Sequence, residues 1–378
     1  MTGKFKAMKK TIIFISLLAI LFSCQEKAPV QVDGAAELKV VAMWNSSMVD
    51  SVYNYVPLAN AEMILVSEYG MRSEFTDENG EMILTEIPSS IYQISARKRS
   101  PDNPNASMVG NITDVEVVSG SPVSDTIFTK LISSSGISIN EIYSVGPVNN
   151  IYFFYDQYLE LYNNTEEVKY LDGMQIFRVS SSRAYCADAY SPVLGGSGGD
   201  WTGEGSIFGI TYAFQFPGRA GEKNYPFESH TFITLAQDAY DHSQAVSEAI
   251  DLSSADWEFV NQLNAVDIDN PKVPNLSNIS ECKTQEFMIS LTSDIIILAS
   301  GVDTVLSDGI EIATILDGVE YQSNETKNIT LDERIDRSWV MSPPKYSGQS
   351  MQRREKGIDT NDGRLDWMII PSPTPGWQ

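Results

Sequence analysis

Histidines, cysteines and basic side chains are all scarce in this chain. Its 378 residues include two histidines, His230 and His242, and three cysteines. No H-E-x-x-H or C-x-x-C is present, so the usual zinc-hydrolase and zinc-ribbon constellations are missing. A Ser-His-Asp triad would have to draw one of those two histidines from a background of abundant serines and acids, where any match is at chance level. G-x-x-x-x-G-K-[ST] is also absent, which removes the standard phosphate cradle. Lysine and arginine number 26 against 50 aspartates and glutamates, a formal charge of −24. That balance argues against nucleic acid as a partner and against broad docking on anionic lipid. Only one run near the amino terminus is strongly apolar, and it falls short of the about 20 residues needed to span a bilayer as a helix.

That run carries the localisation. Lys4, Lys6, Lys9 and Lys10 precede TIIFISLLAILF, which ends at Ser23-Cys24. A basic segment followed by a short apolar one reads as a secretory signal. Leu21-Phe22-Ser23-Cys24 resembles the lipobox of bacterial lipoproteins, in which the cysteine is acylated and becomes the first mature residue. The resemblance implies a signal peptide over 1–23, lipidation at Cys24 and a membrane partner reached through the lipid anchor. Buried acyl chain stabilises attachment by about 0.8 kcal/mol per methylene. The competing reading is an ordinary signal peptide that happens to end near a cysteine. Outer-membrane attachment is expected. Glu26 beside Lys27 is too little acid after the cysteine to choose between the periplasmic face and the cell surface. Residues 24–36 read as a polar tether.

Residues 37–132 read as a small all-β domain. Strand-like runs appear at LKVVAMW, AEMILVSEY, GEMILTEI, IYQISARK, TDVEVVS and DTIFTKLI, with turn residues at short intervals. Pro57, Leu58, Ala61, Thr76, Asp77, Gly80, Pro88, Tyr92 and Ile94 make up the pattern P-L-x-x-A, strand, T-D-x-x-G, strand, P, Y-x-I. This resembles the carboxypeptidase-regulatory-like, transthyretin-type β-sandwich, which implies a non-catalytic spacer or binding module. Ser89-Ser90 departs from the glycine usual there. Asp77–Gly80 is expected to be a hairpin turn, with Gly80 at positive φ.

Ser133–Gly136 reads as a hinge. Beyond it come Ile139, Glu141 and Ile142, then Tyr158, Glu160, Leu161, Tyr162 and Asn163, then Leu171 and Gly173. Near the far end stand Gln352-Arg353, Asp359-Thr360-Asn361 and Pro373-Thr374-Pro375-Gly376. Together these resemble the opening and closing motifs of the lamin-tail, Ig-like β-sandwich. The expected fold is therefore all-β: two tandem β-sandwich domains, the second over 137–378 with long insertions at about 179–226 and 237–280 and one or two short helices. Glu141 and Glu160 invite a carboxylate-pair reading, but the family pattern makes them framework residues.

The insertions hold the remaining candidates. Residues 179–226 are rich in glycine, serine and aromatics and read as a decorated loop, with a buried strand over Phe208–Phe216. Trp201, set among glycines, is the candidate contact surface. Residues 237–263 show mixed helical spacing and read as two short helices, with Ser254 and Asp256 at the second N-terminus. His230 is expected within a strand. His242 has Asp238 and Asp241 as co-ligands if it binds metal, and otherwise lies at a solvated helix start. Asp267, Asp269 and Asn270 offer alternating hard oxygens that suit calcium, the sole cofactor candidate, although the full EF-hand pattern is missing. The competing role is Asx-turn capping. Cys186 and Cys282 are either disulfide-bonded in an oxidising compartment or two buried thiols. Residues 241–259 together with DIDNPKVPNL resemble a domain of unknown function found in Gram-negative envelope lipoproteins, often encoded beside TonB-dependent outer-membrane receptors. That resemblance implies a receptor of nutrient uptake as partner. The expected function is a non-enzymatic, lipid-anchored binding component. Its alternatives are a structural or adhesive surface protein and, behind both, a hydrolase of glycans or phosphoesters.

Overall fold

The structure is a computed structural model that describes residues 36–49, 52–101, 106–133, 136–179, 205–207, 209–259, 269–280, 287–324, 331–332, 334–336 and 338–378. Eight strands come first: β1 (Ala36–Val49), β2 (Val52–Pro57), β3 (Glu62–Ser67), β4 (Gly70–Phe75), β5 (Glu81–Ile87), β6 (Ser90–Arg99), β7 (Ala106–Val117) and β8 (Val123–Ser133). They pair in the order β2-β1-β8-β7-β6-β3-β4, with β5 also on β1. Alternate residues point to opposite faces of a strand. Leu38, Val40 and Ala42 of β1 accordingly meet Met63 and Leu65 of β3 and Ile94 and Ala96 of β6 in one core.

The turn motif of this sheet has a specific cause. Thr76 is buried; its hydroxyl donates to Leu58 O at 2.7 Å and accepts from Ala61 N at 2.8 Å. The carboxylate of Asp77 accepts from Asn79 N and Glu81 N at 2.9 and 2.8 Å. The Glu81 bond leads in holding that carboxyl below the usual range. Gly80 sits at φ +70, where an added Cβ would lie 2.6 Å from Ala42 O. No L side chain fits there without moving the backbone of β1. The Tyr92 hydroxyl donates to Pro88 O at 2.9 Å and ties β6 to its own entry turn.

The remaining elements are β9 (Ile137–Tyr143), β10 (Tyr158–Asn163), β11 (Lys169–Tyr170), β12 (Gln175–Val179), β13 (Ser206–Ile207), β14 (Ile210–Gln215), β15 (Pro226–Phe227), β16 (Phe232–Ala236), β17 (Trp257–Phe259), β18 (Asn275–Asn278), β19 (Ser293–Ala299), β20 (Ile310–Glu311), β21 (Ile315–Gln322), β22 (Trp339–Met341), β23 (Ser350–Arg353), the single-turn helix α1 (Gly363–Asp366) and β24 (Trp367–Ile370). Twelve of these strands form one sheet, ordered β22-β21-β19-β12-β14-β18-β17-β16-β10-β9-β23-β24. The sheet curls over a shared core to which Ile139, Leu161, Phe214, Leu235, Phe259, Leu298 and Trp367 all contribute. Its terminal strands β22 and β24 come back into contact, with α1 against both. The protein is all-β.

The buried strand expected over Phe208–Phe216 is present as β14, a central strand between β12 and β18. Two expectations need correction. Residues 237–263 form no pair of helices in their described part. Asp241 and Asp251 accept from Ser243 N and Ser253 N at 3.2 and 2.9 Å, breaking the backbone into Asx turns around a three-residue 3-10 turn at His242–Gln244. Trp257–Phe259 is then drawn into the sheet as β17, parallel to both β16 and β18. His230 precedes β16 rather than lying in it, at φ +55.

Candidate functional site

Glu141 and Glu160 lie directly opposite each other on β9 and β10, and both are fully buried. Their oxygens are taken up by the end of the chain. Glu141 accepts from Thr374 N at 3.1 Å, Thr374 Oγ1 at 2.7 Å and Gln352 Nε2 at 3.0 Å. Glu160 accepts from Gly376 N at 2.6 Å and Asn140 Nδ2 at 3.0 Å. Burial pushes the Glu160 carboxyl up to about 8, against the bonds from Gly376 and Asn140. Neither acid lines the cavities described below. The pair clasps the PTPG segment onto the first strands of the large sheet, so its role is architectural.

Arg353 does comparable work from β23. Fully buried, it donates to Ile139 O at 2.8 Å, Ile358 O at 3.0 Å and Asp317 Oδ2 at 2.9 Å. Its guanidinium also lies 3.4 Å from Asp359, 3.5 Å from Asp366 and over the Trp367 ring. Burial opposes its charge, but Asp317, Asp359 and Asp366 outweigh that and hold it protonated. Burial also lifts Asp317 to about 6 and Asp366 to about 7, against the pull of Arg353. Asp336 rises well above its ordinary value through burial, with Asp359, Asp362 and Asp366 adding to the effect. Asp156 reaches about 7, again chiefly by burial. Such groups cluster at catalytic sites in many proteins, but here they join β9, β21, β23 and α1 into one framework. Among the described residues, no group of three or more histidine, cysteine, aspartate or glutamate side chains is placed to hold a metal ion.

The sequence candidates are scattered or lie elsewhere. Cys24, Cys186, Trp201, Asp267 and Cys282 fall outside the described residues. Asp269 accepts from Asn275 Nδ2 at 2.8 Å. Asn270 donates to Ala239 O at 2.8 Å and accepts from Lys272 N at 3.2 Å, as an Asx-turn residue does. His242 is buried rather than solvated; one ring nitrogen lies 3.1 Å from Asp238 O, and burial lowers its pKa. His230 stands between Tyr162 and Glu166 at 3.3 and 3.0 Å.

Sequence reading missed the seam between the two large sheets. Ile64 and Ser95 point away from the core of the first sheet, yet each is only 2% exposed. Arg97 links across to Glu355 at 3.7 Å, and Arg364 donates to Gln93 at 3.2 Å while its guanidinium lies over the Trp339 ring. The seam holds a groove of about 770 Å³, walled on one side by the β3–β4 turn and β6 and on the other by β22, α1 and β24. Tyr69, Met71, Ile91 and Met368 line it, each 38–59% exposed, and Arg354 and Arg364 add charge. A second cavity of about 420 Å³ opens beside Arg97. The sequence signal for both is faint: alternation along β6 leaves Ile91, Gln93 and Arg97 on the face that a one-layer reading assigns to solvent.

The family described as a protein of unknown function, DUF4876, matches residues 231–309, which run from the start of β16 through β19 to just before β20. Among solved structures, the crystal structure of a DUF4876 family protein from Bacteroides thetaiotaomicron is similar, with a TM-score of 0.52 and 18% identity over 88% of this chain and 94% of that one. At that identity the likeness concerns the fold alone. The structure of the streptococcal ancillary pilin matches at a TM-score of 0.18 and 13% identity, over 65% of this chain and 62% of that one, too low to carry an argument. No curated protein matches.

Proposed function

We propose that this chain is a lipid-anchored, non-catalytic binding component of the outer membrane, and that the seam groove is its contact surface for a partner protein. The observation that carries the reading is the groove itself, where half-exposed aliphatic and aromatic side chains from both sheets converge around two arginines. Contact energy concentrates at such anchors. The lipobox-like Leu21–Cys24 supports the anchor, and the resemblance of residues 241–259 to envelope lipoproteins supports a TonB-dependent receptor as the partner. In this reading the first eight strands are the carboxypeptidase-regulatory-like spacer, and the large sheet is the lamin-tail-like scaffold that frames the groove. The test is extraction of the tagged, full-length protein in mild detergent. The expected result is co-purification of a β-barrel receptor that falls at least tenfold in an Ile91→Glu, Met368→Glu variant. Absence of any barrel, or equal recovery with the variant, overturns the reading.

A second reading, a structural or adhesive surface protein, draws on one loop. Val148, Ile151 and Tyr152 are 60–71% exposed. Asn149 fixes their backbone, accepting from Ile151 N and Phe153 N and donating to Pro147 O and Phe153 O. Whole-cell protease accessibility together with a cell-adhesion assay separates this reading from the first.

A further inference from the structure

We propose that the smaller seam cavity is an oxyanion site, built to take a carboxylate or phosphate group of a small ligand. Three consecutive basic residues at the end of β6, Arg97, Lys98 and Arg99, wall it against Glu62 and Glu355. Arg354 stands behind them; burial first, and then the like charge of Arg97, depresses its pKa. Cations therefore outnumber carboxylates here, in a chain whose overall charge is −24. The long-range field of such a chain repels anions. A concentration of guanidinium groups in one recess thus provides local recognition.

Hydrogen-bond accounting points the same way. The Arg97 side chain is nine-tenths buried and paired with Glu62 at 2.7 Å, but its Nη1 has no protein acceptor. That nitrogen can donate. Buried donors without acceptors are uncommon in native proteins and call for an explanation. Oxygen atoms of a bound anion supply one, and a guanidinium fork matches the oxygens of a carboxylate or phosphate. Phe75 and Ile358 form an apolar lip, so the ligand carries some carbon beside its charge. The volume of about 420 Å³ lies in the range of small-molecule sites.

The test is calorimetric titration of the full chain with citrate and with inorganic phosphate, each against sodium chloride at matched ionic strength. The expected result is saturable one-site binding, with an upward shift in Tm. Arg97→Gln should abolish it, and Arg99→Gln, an exposed position at the mouth, should weaken it at least tenfold. Should Arg97→Gln fail to fold, Arg99→Gln alone decides. The tighter of the two ligands identifies the source of the oxyanion. Equal shifts with chloride, or unchanged affinity in Arg99→Gln, overturn the proposal. The groove variant Ile91→Glu, Met368→Glu should bind the anion as the wild type does, which keeps this result separate from that of the partner surface.

Discussion

The two sheets of this protein solve the same problem with different materials. In the first, the fully buried polar residues are Thr76, Ser95, Ser107 and Thr129, and the nearly buried charge of Arg97 lies on the seam rather than in the core. Its order comes from apolar alternation and from the turn at Asp77–Gly80. The second buries Glu141, Glu160, Asp156, Asp317, Asp336, Asp366 and Arg353 in and around its core. Burying charge costs several kcal/mol per ion and is offset only when partners and geometry are good. Such groups contribute less to net stability than to deciding which segments meet. Arg353 accordingly gathers β9, β21 and the 358–366 segment, while Glu141 and Glu160 gather the chain end. A large curled sheet assembled from distant segments has to specify its closure. The first sheet also joins distant segments, since β1 pairs with both β5 and β8, but it does so over an apolar core.

Removing the central cation should expose this difference most strongly. Arg353→Met leaves Asp317, Asp359 and Asp366 facing one another without compensation, and a broken buried pair costs about 3–5 kcal/mol. In hydrogen exchange read by mass spectrometry, protection should collapse across β9, β21, β23 and α1 and persist in β1, β3 and β6. Uniform loss across both sheets would show that they fold as one unit and would break the comparison.

Gly80→Ala makes the reciprocal cut. Positive φ with a side chain, added to the close approach to Ala42 O, should cost about 2–3 kcal/mol. Chemical denaturation should show the loss confined to β1–β5. A cost below about 0.5 kcal/mol would mean that the turn relaxes freely and that the apolar core alone orders the first sheet.

Much of the first sheet was legible because its information is local. Asp77, Pro88 and Tyr92 act within a few residues of where they stand, and Thr76 reaches Leu58 and Ala61 of the same motif, so a motif read along the chain is also a contact read in space. In the second sheet only the ends could be read. Glu141, Glu160, Arg353 and Thr374 were recognisable as a pattern, and their mutual contacts give that pattern a physical reason. What failed was the middle. Residues 237–263 carry apolar spacing that suits a helix, but Asp241 and Asp251 capture backbone N–H groups in turns, and Trp257–Phe259 is claimed by strands on either side. The seam was illegible for a related reason. Arg97 and Ser95 occupy what reads as the outer face of a strand, and only the packing of a second sheet turns that face inward.

The last of the expected effects concerns protons, and it tests the comparison without disturbing the packing. Burial raises Asp156 and Asp366 to about 7 and Glu160 to about 8, all in the second sheet. Unfolded carboxyls titrate near 4. Between those values the native state binds more protons than the unfolded chain, so stability must fall as pH rises from about 4 to 8. The contribution is fully present below the unfolded pKa and lost as pH passes the folded values. Groups lowered on the first sheet, Glu62 and Asp77, act only in acid and with the opposite sign. Asp156 isolates the effect, since its Oδ1 is buried without a partner, while its Oδ2 lies 3.4 Å from the Tyr143 hydroxyl and 3.3 Å from Ile250 N. Asp156→Asn keeps the shape and cannot ionise. It should leave stability nearly unchanged below about pH 4 and raise it by up to about 4 kcal/mol at pH 8. Denaturation midpoints measured across that range would show a shallower slope in the variant, with the change confined to the second sheet. Parallel slopes for wild type and variant would mean that water reaches Asp156 and that the second sheet does not carry its charges dry.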